Sequence, residues 1–192
     1  MDLFDLEKFS QNIALIKGNN NQINYQQLLR ISNKIGVYLK KRCLVFLVCK
    51  NCFESVAGYV GIIRSKAVPI LINNTINNIF FSQLLEAYKP EYIYLPSEIT
   101  QLNSNCSIIS SFGNYTLLKT VYNMDYVIHK DLALLLTTSG STGSPKLVRQ
   151  SFKNVYSNAE SISKYLEIKS TDRVITTMPM SYSYGLSIIN TA

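Results

Sequence analysis

Residues 43 to 49 (CLVFLVC) form an unbroken apolar run of strand length, and this run constrains the fold more than any other feature of the 192-residue chain. A strand with apolar side chains on both faces must be covered on both, which puts it inside a sheet flanked by helices. Two more such runs follow, at residues 67 to 72 and 92 to 95. Helical periodicities separate them. Asn51 with Glu54 reads as the opening of a helix carrying Phe53, Val56, Ala57, Val60 and Ile63 on one face, and residues 79 to 88 carry Phe80, Leu84 and Leu85. Strand and helix alternate, which predicts an α/β fold: a doubly wound, mostly parallel sheet with flanking helices and right-handed crossovers.

Upstream, Asn24 and Gln27 have capping-box spacing. Tyr25, Leu28, Ile31, Ile35, Tyr38 and Leu39 then recur at helical intervals as far as Lys40, Lys41 and Arg42, cations suited to a helix C-terminus. Downstream, residues 107 to 112 and 115 to 121 flank Gly113 and Asn114, which predicts a hairpin.

With 47% hydrophobic and 16% charged residues, the chain has the composition of one folded domain or of part of a larger one. Its 19 Lys and Arg against 12 Asp and Glu give a net charge of +7, which suits a polyanionic partner such as a nucleotide. The cations are scattered, so no nucleic-acid footprint is expected. The acidic start lacks the basic and apolar regions of a secretory leader, and no stretch is long enough for a membrane span, so a cytoplasmic protein with reduced thiols at Cys43, Cys49, Cys52 and Cys106 is expected. Cys49 and Cys52 form a CxxC pair without the proline or aromatic neighbours of a redox site, and ligands for zinc are too few. His129 is the single histidine, expected on the surface, so no Ser-His or Cys-His system can be assembled.

The chemistry concentrates after another apolar strand, residues 132 to 137. There follow Thr138, Ser139, Gly140, Ser141, Thr142, Gly143, Ser144, Pro145 and Lys146: two glycines, four hydroxyl residues besides Thr138, a proline and a lysine. A triphosphate needs inward-facing N–H groups, which glycine permits by adopting positive φ, together with hydroxyl donors and a cation. A flexible linker would not follow a buried strand directly or end in Pro-Lys before Leu147 and Val148. The loop is not a Walker A motif, because Ser144 and Pro145 separate Gly143 from Lys146 and no Ser or Thr follows the lysine, which removes kinase-type and GTPase-type readings.

With these residues in view, the chain resembles the adenylate-forming superfamily of acyl-CoA synthetases, aryl-acid ligases, luciferases and peptide-synthetase adenylation domains, whose signature is a Thr/Ser/Gly-rich loop ending in Pro-Lys. The likeness covers nearly all of residues 20 to 192. Asn24 to Leu28 resemble the family's first-helix entry, residues 57 to 72 its helix and following strand, and Thr171, Asp172, Arg173 and Val174 the run into a further strand. Met178, Pro179, Met180, Ser181, Tyr182, Ser183, Tyr184, Gly185 and Leu186 resemble its second signature. Departures are Leu147 for a glycine, Arg149 and Gln150 for Thr-His, Tyr182 where many members have His, and Ser65-Lys66-Ala67 for a Lys-Ala-Gly turn.

The resemblance implies residues 1–192 to be the first part of the family's AMP-binding N-terminal domain, with the C-terminal remainder absent. It implies ATP and Mg²⁺ as cofactors, a small carboxylic acid as substrate, and CoA or an acyl carrier protein as acceptor. By the same resemblance, Thr138, Ser139, Gly140, Ser141, Thr142, Gly143 and Ser144 hold phosphates, Thr142 sits near the metal, and Lys146 anchors the loop or meets the γ-phosphate. Tyr182, Tyr184 and Gly185 line the acid or adenine pocket, or the tyrosines are core residues of a strand-to-helix turn. The family's ribose-binding aspartate, the acidic residue that helps hold magnesium, the hinge and the catalytic lysine lie after the second signature, so this piece is expected to be inactive alone and prone to self-association. The alternative is a non-catalytic nucleotide- or partner-binding module of the same fold.

Overall fold

The computed structural model describes residues 4–39, 41–102, 106–123, 127–137 and 146–191. Two short strands, β1 (Ile13–Ile16) and β2 (Gln22–Asn24), pair antiparallel and lead into helix α1 (Tyr25–Gly36). The capping box is formed: Asn24 Oδ1 accepts from the Gln27 amide at 2.8 Å, and Gln27 Oε1 from the Asn24 amide at 3.0 Å. The helix ends at Gly36 and not at the basic run. Lys41 instead pairs with Glu91 at 3.3 Å. Arg42 donates to the carbonyls of Lys66, His129 and Leu132, tying the entrances of two later strands together.

Next come β3 (Leu44–Cys49), α2 (Phe53–Arg64), β4 (Val68–Asn73), α3 (Asn78–Tyr88) and β5 (Tyr92–Pro96), as the alternation predicts. The hairpin also forms, as β6 (Ser107–Phe112) and β7 (Tyr115–Lys119) around Gly113, whose φ of 58° lies where glycine is unstrained. Last are β8 (Leu132–Thr137), β9 (Leu147–Ser151), α4 (Phe152–Tyr165) and α5 (Ser183–Thr191). The main sheet has the order β6-β7-β5-β3-β4-β8-β9. Its centre, β5-β3-β4-β8, is parallel, and antiparallel pairs close both edges, so the sheet is mixed.

Alternate residues of each central strand serve two cores, because successive side chains point to opposite faces. Val45, Leu47, Leu71, Tyr94 and Leu134 pack with α1, α2 and α5. Phe46, Val48, Ile70, Ile93 and Leu135 pack with α3, where the Phe46 and Phe81 rings meet edge-on at 5.7 Å. Helix α2 is buried from Ser55 to Ile63. Gly61 lets it approach α1, since a Cβ there would lie 2.5 Å from the Ser32 carbonyl oxygen.

At the C-terminal side, β9 is a half-exposed edge strand, with Val148 and Arg149 in solvent, so the loop before it leads from a buried strand to an edge, and one expectation fails. Thr171, Asp172, Arg173 and Val174 do not run into a strand: residues 172 to 177 carry no strand pairing, and Val174 and Ile175 face solvent, Ile175 at 77% exposure.

Candidate functional site

All four parallel strands point their carboxyl ends to one edge of the sheet, and the two signatures meet that edge. β8 and β9 pair until Thr137 faces Leu147, so the segment between them opens at the carboxyl end of β8. Thr137 Oγ1 donates to the Leu71 carbonyl at 3.2 Å, fastening this end to β4. Thr138, Ser139, Gly140, Ser141, Thr142, Gly143 and Ser144 lie outside the described residues. Lys146 is described and is exposed, directly before β9.

One strand beyond β4, the end of β3 is held by Tyr115, whose hydroxyl accepts from the Lys50 amide at 3.1 Å and donates to the Val48 carbonyl at 3.0 Å. From here the chain enters α2 on one face of the sheet, while the chain leaving β4 enters α3 on the other. Neighbouring strands whose connections diverge in this way leave a crevice at their carboxyl ends, where open α/β sheets bind ligands.

The second signature crosses the end of β3. Asn51 is not the cap of α2; that position belongs to Cys52, which makes no side-chain capping bond. The Asn51 amide instead donates to the carbonyls of Met178 (2.8 Å) and Thr176 (3.3 Å) and accepts from the Met180 amide (3.0 Å). Met180 is buried, and Ser55 Oγ lies 3.2 Å from its sulfur. The Tyr182 amide closes a turn onto the Pro179 carbonyl at 3.1 Å, and α5 starts at once. Gly185 is required there, because a Cβ would sit 2.2 Å from the Pro179 carbonyl oxygen, which is backbone and cannot swing aside.

Tyr182 is 44% and Tyr184 65% exposed, so neither is a core residue of the turn. Sequence reasoning missed Asn51, Ser55 and Tyr59. For Ser55 and Tyr59 the signal was their spacing of four: on a helix largely apolar and buried, polar residues on one side need polar partners; Asn51, before the helix, carried no such signal.

The thiols fit no redox role. Burial pushes Cys49, and likewise Cys43, up to about 12, and raises Cys52 and Cys106. A thiolate is the reactive form, and these surroundings disfavour it. His129 is exposed, as expected. Among the described residues no cluster of His, Cys, Asp or Glu suits a metal ion, and no helix is long and apolar enough to cross a membrane.

The profile of the AMP-binding enzyme family matches residues 5–192. The chain belongs to that family. It is similar to 2-succinylbenzoate–CoA ligase of Bacillus velezensis, 42% identical over 64 residues that make up 33% of this chain and 13% of that protein. It is also similar to an acyl-CoA synthetase of Alternaria alternata, 23% identical over an alignment covering 86% of this chain and 38% of that protein. Among solved structures, ATP-bound MatB from Rhodopseudomonas palustris superimposes with a TM-score of 0.78 at 18% identity, over 98% of this chain and 42% of that one. The o-succinylbenzoate CoA synthetase of Bacillus subtilis with its acyl-adenylate gives 0.75 at 21%, over 97% and 51%. The chain thus has the fold of AMP-binding enzymes and spans about half or less of the length of these relatives.

Proposed function

We propose that these residues are the first part of the AMP-binding domain of an ATP-dependent, AMP-forming carboxylic acid ligase, one that passes the acyl group to CoA or to an acyl carrier protein. The observation that carries the reading is the opening of both signature segments at one edge, the carboxyl ends of β3 and β8, beside diverging connections. Family membership and ligase relatives support it. The activity is proposed for a polypeptide of the relatives' length, and the 192 residues alone are proposed to be inactive.

In this reading the acid's carboxylate attacks the α-phosphorus of ATP and pyrophosphate leaves. The chain's task is to neutralise charge on the departing β- and γ-phosphates. Amides and hydroxyls of Thr138, Ser139, Gly140, Ser141, Thr142, Gly143 and Ser144 are suited to it, with the Lys146 ammonium as a fixed cation. Mg²⁺ would supply further neutralisation; it is a hard cation held by substrate phosphates and one or two carboxylates, so the Thr142 hydroxyl would stand near it and the acidic ligand would come from beyond residue 192. Tyr182 and Tyr184, open to solvent beside the crevice, are proposed as walls for the acid or adenine, with Gly185 allowing the helix behind them to pack closely.

The test is ATP–pyrophosphate exchange with a panel of carboxylic acids. Lys146→Ala or Thr142→Ala should slow exchange by about 10²-fold if each removes one charge-stabilising contact. Unchanged rates would remove those residues from the mechanism. Nucleotide binding with no exchange for any acid would favour the non-catalytic module instead.

A further inference from the structure

The polar stripe on α2 has no role in building the sheet, yet each member bonds the second signature or the helix after it. Asn51 brackets residues 176 to 180 with two donated bonds and one accepted bond. Ser55, fully buried, meets the Met180 sulfur. Tyr59, fully buried, donates to Asn190 Oδ1 in α5 at 3.0 Å. The spacing of four puts Ser55 and Tyr59 on one side of α2, and Asn51 lies in the bend before the helix. The segment they hold has little else to fix it: residues 172 to 177 have no sheet partner, Ile175 is largely in solvent, and Val174 and Met178 are about half exposed.

We propose that Asn51 is a positioning residue for the acid-binding wall: its amide sets the height of the 176–180 turn over the end of β3, and through the Pro179–Tyr182 turn it sets where Tyr182 and Tyr184 stand. This rests on the ligase reading above and deepens it. The Asn51 amide is engaged by the backbone of Thr176, Met178 and Met180, so it acts through that turn. It acts like a short strand partner, offering a donor to two carbonyls and an acceptor to one amide, a combination that no aliphatic or carboxylate side chain reproduces. Ser55 and Tyr59 hold the following residues in register, so a displaced turn would tilt about fixed points at Met180 and Asn190 rather than melt.

Two variants and two readouts test this. In Asn51→Ala all three bonds are lost. Asn51→Asp keeps the acceptor for Met180 but turns a carboxylate oxygen toward the carbonyls of Thr176 and Met178. Amide hydrogen exchange on the 192-residue chain should show the Met180 amide protected in the parent and in Asn51→Asp and exchanging at least about 10-fold faster in Asn51→Ala, the loss of roughly one hydrogen bond. Pyrophosphate exchange by the relatives'-length protein should show KM for the acid raised about 10-fold in both variants, with KM for ATP changed less than twofold. An unprotected Met180 amide in the parent overturns the clamp whatever the activity. A lost amide with an unchanged KM for the acid, or equal rises for acid and ATP, overturns the positioning role. No exchange by the parent with any acid takes down the ligase reading and this role with it, while the amide result still reports on the bonds.

Discussion

The β3–α2 unit and the segment from Leu166 to Tyr184 are both rich in apolar residues and dispose of them in opposite ways. In the first, β3 is buried along its whole length and α2 from Ser55 to Ile63, walled by the sheet, α1 and α5. In the second, Leu166, Val174, Ile175, Met178, Tyr182 and Tyr184 lie in solvent, and the chain is held mainly by polar bonds to Asn51 and by the buried Met180. Apolar content alone therefore does not mark a core. What separates the regions is whether backbone groups are paired within a sheet, which forces side chains onto two defined faces, or are left to a few side-chain partners.

The largest effect should come from the buried region. Phe46 is fully buried between β4 and α3, and Phe46→Ala should lower stability by about 3–5 kcal/mol, read from urea denaturation. Ile175→Ser should stay within about 0.5 kcal/mol. A large loss from Ile175→Ser would break the contrast, because the exposed segment would then belong to the core.

The contrast sharpens at Gly185, where the loosely covered region has its tightest backbone approach. Gly185→Ala must push α5 away from Pro179 and should cost about 1–3 kcal/mol. It should also speed exchange of the Leu186 amide, which bonds the Tyr182 carbonyl at 2.9 Å. Comparable in size is Arg42→Lys, also about 1–3 kcal/mol by urea denaturation, because an ammonium cannot replace a fork reaching the carbonyls of Lys66, His129 and Leu132. Neutral behaviour of Arg42→Lys would restore the view of residues 40 to 42 as helix-end cations.

Most of the central sheet was legible in the sequence, since apolar runs bounded by helical periodicity encode burial on both faces, as at Leu44–Cys49 and Val68–Asn73. Helix ends and edges were less so. Arg42 looks like a C-terminal cation, but α1 stops six residues earlier, and what Arg42 caps is the start of β4 and β8, a contact remote in sequence. Asn51 resembles a cap by spacing, and nothing local tells that its amide is taken by residues 176 to 180. Of the proposed site, the Gly/Ser/Thr loop stands out by composition and context but lies outside the described residues, while the partners of Ser55 and Tyr59 were hidden because they lie more than a hundred residues away. Thr171, Asp172, Arg173 and Val174 read as the run into a strand from the family resemblance alone, and β-propensity around Val174 fits a pleated half-buried surface without supplying a partner.

The smallest effect concerns the thiols, which report where the buried region ends. Cys43 precedes β3 and Cys49 ends it, and burial holds both near 12, whereas Cys52 and Cys106 are only partly buried. A thiol is neutral when protonated, so the unfolded chain, with ordinary thiols near about 8.5, loses those protons first. The stability these groups contribute is thus fully present below about pH 8.5 and falls as pH rises toward 12, by on the order of 1 kcal/mol per thiol per pH unit. Stability of Cys43→Ala should fall less steeply than that of the parent between about pH 8.5 and 10.5 by that amount. At neutral pH an aromatic disulfide reagent should label Cys106 and Cys52 well before Cys43 and Cys49, which become reachable only through opening of the sheet. Labelling of Cys49 as fast as Cys106 in the folded chain would mean that the end of β3 opens as readily as the exposed segment it supports, and the division between the two regions would have to be redrawn at Cys49.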